Sequence, residues 1–167
     1  MKNFSYTITE GEHAGKTLWS GRYCAVAAFI FCKFPEIGWC ILANKRGSGT
    51  LDYQGYWNCP CGYLEGDETG QQGCQRETYE ETGVNIPENM FTLVGVVTDP
   101  NIDKNVTLRY MTVINYGEID ISVSKDNSPE EDEVEAVSWI VLDKVNTSEW
   151  AFNHNNIIIE LAKLLNE

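Results

Sequence analysis

The sequence predicts an α+β fold, a mixed β-sheet with two helices arranged in α+β or αβα layers. Three observations predict it: strand-length apolar runs recur along the chain, two segments carry helix signals, and turn residues separate them. The 167 residues suit one domain, with residues 1–20 as a weakly specified arm and 21–167 as the globular unit. Hydrophobic residues make up 43% of the chain and charged residues 22%, which excludes a disordered class.

The elements follow in order. Within the arm a short strand is expected over residues 4–9. Residues 22–33 contain CAVAAFIFC, the most apolar stretch and one rich in strand formers. A turn at Pro35-Glu36 leads to a second strand over residues 38–44, so the two pair as a hairpin that Lys45 and Arg46 end. Residues 47–55, with three glycines and Asp52, read as a loop. Residues 57–61 form a short extended segment, because Pro60 disfavours helix at Asn58 and Cys59 and interrupts any ladder.

Gly66 and Asp67 make a turn, Thr69 and Gln72 match a capping box that starts a helix, and Gly83 stops it. That helix is poor by propensity, since Gly70 and Gly73 each cost about 1 kcal/mol relative to Ala. Its apolar face is only Cys74, Thr78 and small neighbours, a composition that lets a helix lie close against a sheet. Further strands are expected over residues 91–98, 107–115 and 134–141. The final helix runs over residues 155–165, with Ile158, Leu161, Ala162 and Leu165 at core-facing intervals.

Chemistry concentrates on the first helix. Glu77, Glu80 and Glu81 stand three and four residues apart, on one face, where a like-charge pair costs a few tenths of a kcal/mol. Something cationic should compensate them. Hard divalent ions such as Mg²⁺ take oxygen ligands and are shared between carboxylates and substrate phosphates, so the cluster is a candidate metal-dependent phosphate site.

The segment GYLEGDETGQQGCQRETYEETGV, residues 62–84, resembles the Nudix box, G-x5-E-x7-R-E-U-x-E-E-x-G-U with U a bulky aliphatic residue. Gly62, Glu68, Arg76, Glu77, Glu80, Glu81, Gly83 and Val84 fall in register, and Thr78 departs at a packing position. The resemblance covers residues 20–166 and implies a Nudix-like αβα sandwich, a mixed sheet between helices. It implies that Glu77, Glu80 and Glu81, with the backbone carbonyl of Cys61, bind Mg²⁺ or Mn²⁺. Arg76 then orients a carboxylate, Glu68 braces the loop, and Gly62 allows a tight turn.

The implied reaction cleaves the diphosphate bond of a nucleoside diphosphate linked to another group, by metal-activated water. Nucleotide sugars such as ADP-ribose, dinucleotides and nucleoside triphosphates are the candidate substrates. The general base is Glu77 or a loop acid, with Glu131 and Glu133 singled out. Pro100, 16 residues past the box, sits where ADP-ribose hydrolases carry a Pro, although a Pro after Asp99 is also an ordinary turn. The alternative class is a Nudix-like sensor that binds a nucleotide derivative without cleaving it.

Weaker candidates surround the box. Trp57 reads first as core packing, Lys45, Arg46 and Arg109 are candidate phosphate contacts, and Tyr53 and Tyr56 are candidate base-stacking rings. The net charge of −13 argues against long nucleic acid as a partner. No apolar run has the length of a membrane span and the first residues carry no signal-peptide pattern, so a cytoplasmic protein with a small-molecule partner is expected. A homodimer is compatible with the sequence. Six cysteines without a secretion signal read as free thiols, and Cys59-x-Cys61 lacks the spacing and further ligands of a zinc site, with His13 and His154 each standing alone.

Overall fold

The computed structural model describes residues 4–126 and 132–166. Along the chain these form β1 (Phe4–Thr7), β2 (Thr17–Ser20), β3 (Cys24–Phe34), β4 (Gly38–Arg46), β5 (Trp57–Asn58), β6 (Cys61–Tyr63) and α1 (Gly70–Thr82). There follow β7 (Thr92–Val97), β8 (Val106–Ile114), β9 (Val134–Val141) and α2 (His154–Ala162), with short 3-10 turns between and after them. β1 and β2 make a separate two-stranded hairpin, whose second strand the sequence pattern does not announce.

β3 organises the rest. Side chains alternate along a strand, so Val26, Ala28, Ile30 and Cys32 face one way and pack with Cys74, Val84 and Ile86 on the α1 side. Ala27, Phe29 and Phe31 face the other way and pack with Val145 and Ile158 on the α2 side. A strand covered on both faces needs a continuous apolar sequence, which explains CAVAAFIFC. The result is a mixed sheet between helices, in the strand order β5-β4-β3-β8-β7 with β9 on β4 and β6 on β3.

One edge of β3 pairs in parallel with β8, from Cys24↔Val106 to Cys32↔Ile114. The opposite edge is divided. β4 takes residues 31–34 as the expected hairpin, β6 takes residues 25–27, and between them Ala28 N–H donates to Pro60 O at 2.8 Å. β3 and β4 therefore diverge, and the chain from β5 to β6 fills the fork. The expected single extended segment 57–61 is broken at Pro60 into two strands that pair with different partners.

β4 also outruns its expected end. Lys45 pairs with Trp57 and Ala136, and Arg46 with Val134, so the ladders of β5 and β9 carry it through both cations. All six cysteines are free, with Cys32, Cys40, Cys59 and Cys74 buried. Among the described residues no helix is long and apolar enough to cross a membrane.

α1 begins as the capping box predicts: Thr69 N–H donates to Gln72 Oε1 at 2.9 Å and Gln72 N–H to Thr69 Oγ1 at 3.3 Å. It ends on Gly83 at φ 77°, a left-handed cap whose N–H donates to Tyr79 O at 2.8 Å. The two interior glycines mark close approaches, since a Cβ on Gly70 would meet the Tyr110 hydroxyl at 2.2 Å and one on Gly73 would meet Leu64 Cδ2 at 2.5 Å.

Thr78 is fully buried on this helix, and its hydroxyl has no hydrogen-bond partner among the described residues. An unsatisfied buried hydroxyl costs about 1–3 kcal/mol, while a same-shape apolar group avoids that cost. Thr78→Val is therefore expected to raise the urea unfolding free energy by about 1 kcal/mol. A midpoint equal to or below wild type would remove the argument.

Candidate functional site

The site sits where α1 faces the fork between β3 and β4. Arg76 is its hub. Its Nε donates to Glu68 Oε1 at 2.6 Å and its Nη2 to Glu68 Oε2 at 2.9 Å, the two-pronged geometry a guanidinium favours. Nη1 donates to Glu77 Oε1 at 2.7 Å and Glu80 Oε2 at 3.0 Å, and Nη2 also reaches Tyr63 O at 2.9 Å. One cation thus ties the loop acid Glu68, two helix glutamates and the β6 backbone together.

Glu81 turns the other way, into the fork. Its Oε2 accepts the Cys61 N–H at 3.1 Å, so the third glutamate is fixed to the residue just before Gly62. With its amide nitrogen oriented toward its acceptors, the buried Asn44 also donates to Glu81 Oε2 at 3.3 Å and to Asn58 O at 3.0 Å. Gly62 makes room for the cluster: a Cβ there would meet Glu77 Oε1 at 2.2 Å.

Burial sets the electrostatics. Glu77 is 9% exposed and Glu81 4%. Desolvation raises Glu77 to about 7 against the opposing pull of Arg76, and raises Glu81 well above the usual carboxylate range, with Glu77 adding to the effect. The hydrogen bonds from Arg76 hold Glu68 below its ordinary value.

Among the described residues no three acidic, Cys or His side chains stand converged as a cation cage, because Glu77 and Glu80 are both drawn to Arg76. The donor set nevertheless fits a hard divalent ion. Glu77 and Glu81 are buried carboxylates whose pKa neighbouring acids raise further, an arrangement that a cation relieves, and all their donors are oxygens.

The second acidic segment reaches the same place. Gly47 N–H donates to Glu133 O at 2.7 Å and Gly49 N–H to Asp132 O at 2.9 Å, stitching the loop after β4 to the start of β9. Only glycine fits at position 47, since a Cβ would lie 2.0 Å from Asp132 O. The charge of Glu133 acts on both Glu77 and Glu81. Glu131 lies outside the described residues.

The weaker candidates scatter. Lys45 is paired with Glu135 at 2.8 Å. Arg46 binds Asp52 at 2.7 Å and lies over the Phe152 ring at 5.0 Å, while Tyr53 stacks against Tyr56 and Phe152. Trp57 packs into the α2-side core. The loop bearing Pro100 is pinned by Arg22, which donates to Thr98 O at 2.5 Å, Asp103 O at 2.7 Å, Lys104 O at 2.9 Å and Asn105 O. Arg109 extends from the α2 face of β8, on the opposite side of the sheet from α1.

Sequence reasoning missed Asn44 and Asn58, whose signal is a lone amide in an apolar strand and one beside Cys59. It also missed His154, whose Nδ1 accepts the Cys59 N–H at 3.0 Å from the far end of the chain. Burial, with Arg109 and Arg46 adding to it, lowers His154 from 6.5 to about 3. Unfolded chains take up the His proton near 6.5 and the folded one resists it. Its contribution is complete above that pH and is lost progressively as pH falls toward about 3, at up to about 1.4 kcal/mol per pH unit. His154→Asn places Oδ1 where Nδ1 accepts and cannot titrate, so urea unfolding between pH 6.5 and 4.5 should show a shallower loss of stability. Identical slopes for the two proteins would refute this.

Comparison with known proteins now bears on the site, because the NUDIX domain family profile matches residues 25–161. The chain belongs to the NUDIX domain family. Phosphatase NudJ of Escherichia coli K12 is 27% identical over 96 residues, an alignment covering 58% of this chain and 58% of that phosphatase. Among solved structures, the NUDIX domain of Shewanella oneidensis NrtR complexed with ADP ribose superposes with a TM-score of 0.69 at 22% identity, covering 87% of this chain and 90% of that one. The same Shewanella protein has also been solved complexed with a 27mer DNA. A bifunctional NMN adenylyltransferase/ADP ribose pyrophosphatase from Francisella tularensis, complexed with AMP and a Mn ion, gives a TM-score of 0.64 at 19% identity over 86% of this chain and 42% of that one. The structural likenesses establish a shared NUDIX fold.

Proposed function

We propose that this chain is a divalent-metal-dependent hydrolase cleaving the diphosphate bond of a nucleoside diphosphate joined to another group. The observation that carries this reading is the Arg76-centred cluster, in which a single guanidinium orients Glu68, Glu77 and Glu80 while Cys61 N–H fixes Glu81. Residues 21–167 act as one catalytic domain with residues 1–20 as an arm. The partner is a small molecule in the cytoplasm, with neither a membrane nor long nucleic acid as substrate, and the chain is compatible with a homodimer.

Glu77, Glu80, Glu81 and the Cys61 carbonyl would hold Mg²⁺ or Mn²⁺. When bound, such an ion neutralises charge developing on phosphate oxygens and activates water. The chain's own residues do the rest. Glu68 anchors Arg76, Arg76 sets the two helix glutamates, and the Gly47-Glu133 stitch holds a further acid beside them. Glu77, within the cluster, is one candidate to take the proton from water. Glu133 and Glu131 are the loop acids for the same task.

ADP-ribose is the first substrate to test, since one fold neighbour was solved complexed with ADP ribose and another is an ADP ribose pyrophosphatase. Dinucleotides and nucleoside triphosphates complete the panel. With Mg²⁺ present, ADP-ribose plus water is expected to give AMP and a sugar phosphate, read by mass spectrometry, and chelation should abolish the products. The second reading, a sensor that binds without cleaving, is favoured by the DNA-bound Shewanella neighbour. Tight binding of one panel member with no turnover of any would select it.

A further inference from the structure

We propose that the groove between β7, β8 and the start of α2 is an anion site, in which Arg109 takes a phosphate group. It goes beyond the hydrolase reading, because the groove lies on the face of the sheet opposite α1. The groove, of about 290 Å³ and open to solvent, is lined by Arg109, Asn153, Asn156, Ile157, Leu161 and the exposed Glu160. It offers the Arg109 cation, the Asn153 amide and an apolar wall, while the Asn156 amide donates to Asn153 Oδ1.

Arg109 is half-buried, and among the described residues no carboxylate pairs with it. The nearby acids are occupied. Glu160 pairs with Lys163 at 2.8 Å, and Asp103 accepts from the Asn105 N–H at 2.9 Å and the Thr107 hydroxyl at 2.5 Å. Burial pushes the guanidinium below its ordinary value, with Asp103 only partly opposing. A partly dry cation without a counter-ion carries a standing desolvation cost that a bound anion removes.

Position sets the groove apart from the glutamate cluster, on the other face of the sheet. Gly95, Arg109, Ala27 and Cys61 form one row across β7, β8, β3 and β6. Arg109 is therefore two strand spacings, about 10 Å, from Cys61. Gly95 keeps the row open beside it, since the nearest Arg109 carbon is 3.9 Å from where a Cβ would stand.

The test uses the full chain without metal, so that the unneutralised glutamates repel anions from their own site. Phenyl phosphate and inorganic phosphate are titrated separately by calorimetry into wild type, Arg109→Met and Arg109→Lys. A charge-assisted hydrogen bond of about 1.5–3 kcal/mol corresponds to roughly tenfold or more in affinity, so Arg109→Met should weaken phenyl phosphate at least tenfold. Arg109→Lys, folded and still charged, should fall between the two. Phenyl phosphate binding tighter than inorganic phosphate assigns the site to an ester, and equal binding assigns it to the free ion; both support the site. Binding unchanged by Arg109→Met, or undetectable in wild type, overturns it. Failure of the hydrolase reading looks different: no compound is turned over, while phenyl phosphate still binds through Arg109.

Discussion

Glu80→Gln is expected to lower Mg²⁺-dependent hydrolysis by on the order of 10²–10³-fold, the scale for losing one charged stabiliser of the transition state. The substitution is mild for the fold. Glu80 is only partly buried, and the Gln oxygen can still accept from Arg76 Nη1, which now lies 3.0 Å from the carboxylate. Unfolding free energy should stay within about 0.5 kcal/mol of wild type. The rise in melting temperature on adding Mg²⁺ should shrink in the variant. Retained full turnover in a normally folded Glu80→Gln protein would end the assignment of this carboxylate.

Arg76→Met is expected to have the largest effect on stability. It removes the one cation shared by Glu68, Glu77 and Glu80, whose side chains are 13%, 11% and 27% exposed. Stripping the partner from a buried pair costs about 3–5 kcal/mol, and partial solvent access here lowers the expectation to about 2–4 kcal/mol. The loss has a pH signature. Arg76 holds Glu68 below its ordinary 4.5, so wild type enjoys that stabilisation above pH 4.5 and forfeits it as pH falls through the lowered value. The variant never has it. Urea curves of the two proteins should therefore converge under acid conditions and be farthest apart at neutral pH; a gap independent of pH would sink the explanation.

The sequence was most legible where chemistry is local. A capping box, a glycine stop and a hairpin turn each act within a few residues, and α1 and the β3–β4 pair lie where those signals put them. It was least legible where a strand's partner decides. Periodicity assigns a side chain to a face, yet cannot say that β3 divides one edge between β4 and β6, or that β5 and β9 prolong β4 past Arg46. Arg109 shows the same limit. A cation in the middle of a strand pattern reads as a phosphate contact, and only the register with Ala27 puts it on the α2 face. The poor helical propensity of α1 was an informative failure, because the glycines that weaken it are the points where Tyr110 and Leu64 approach.

The parallel pairing of β3 with β8 also governs how the chain must assemble. Local hairpins such as β3–β4 and β7–β8 can close early, but Cys24 meets Val106 only after the whole α1 segment has been bridged. Ladders between strands so distant in sequence bear the full loop-closure entropy before any contact repays it, which slows folding. During synthesis β3 therefore waits with one apolar edge unpaired until β8 has emerged, and that interval is when this chain is most exposed to aggregation.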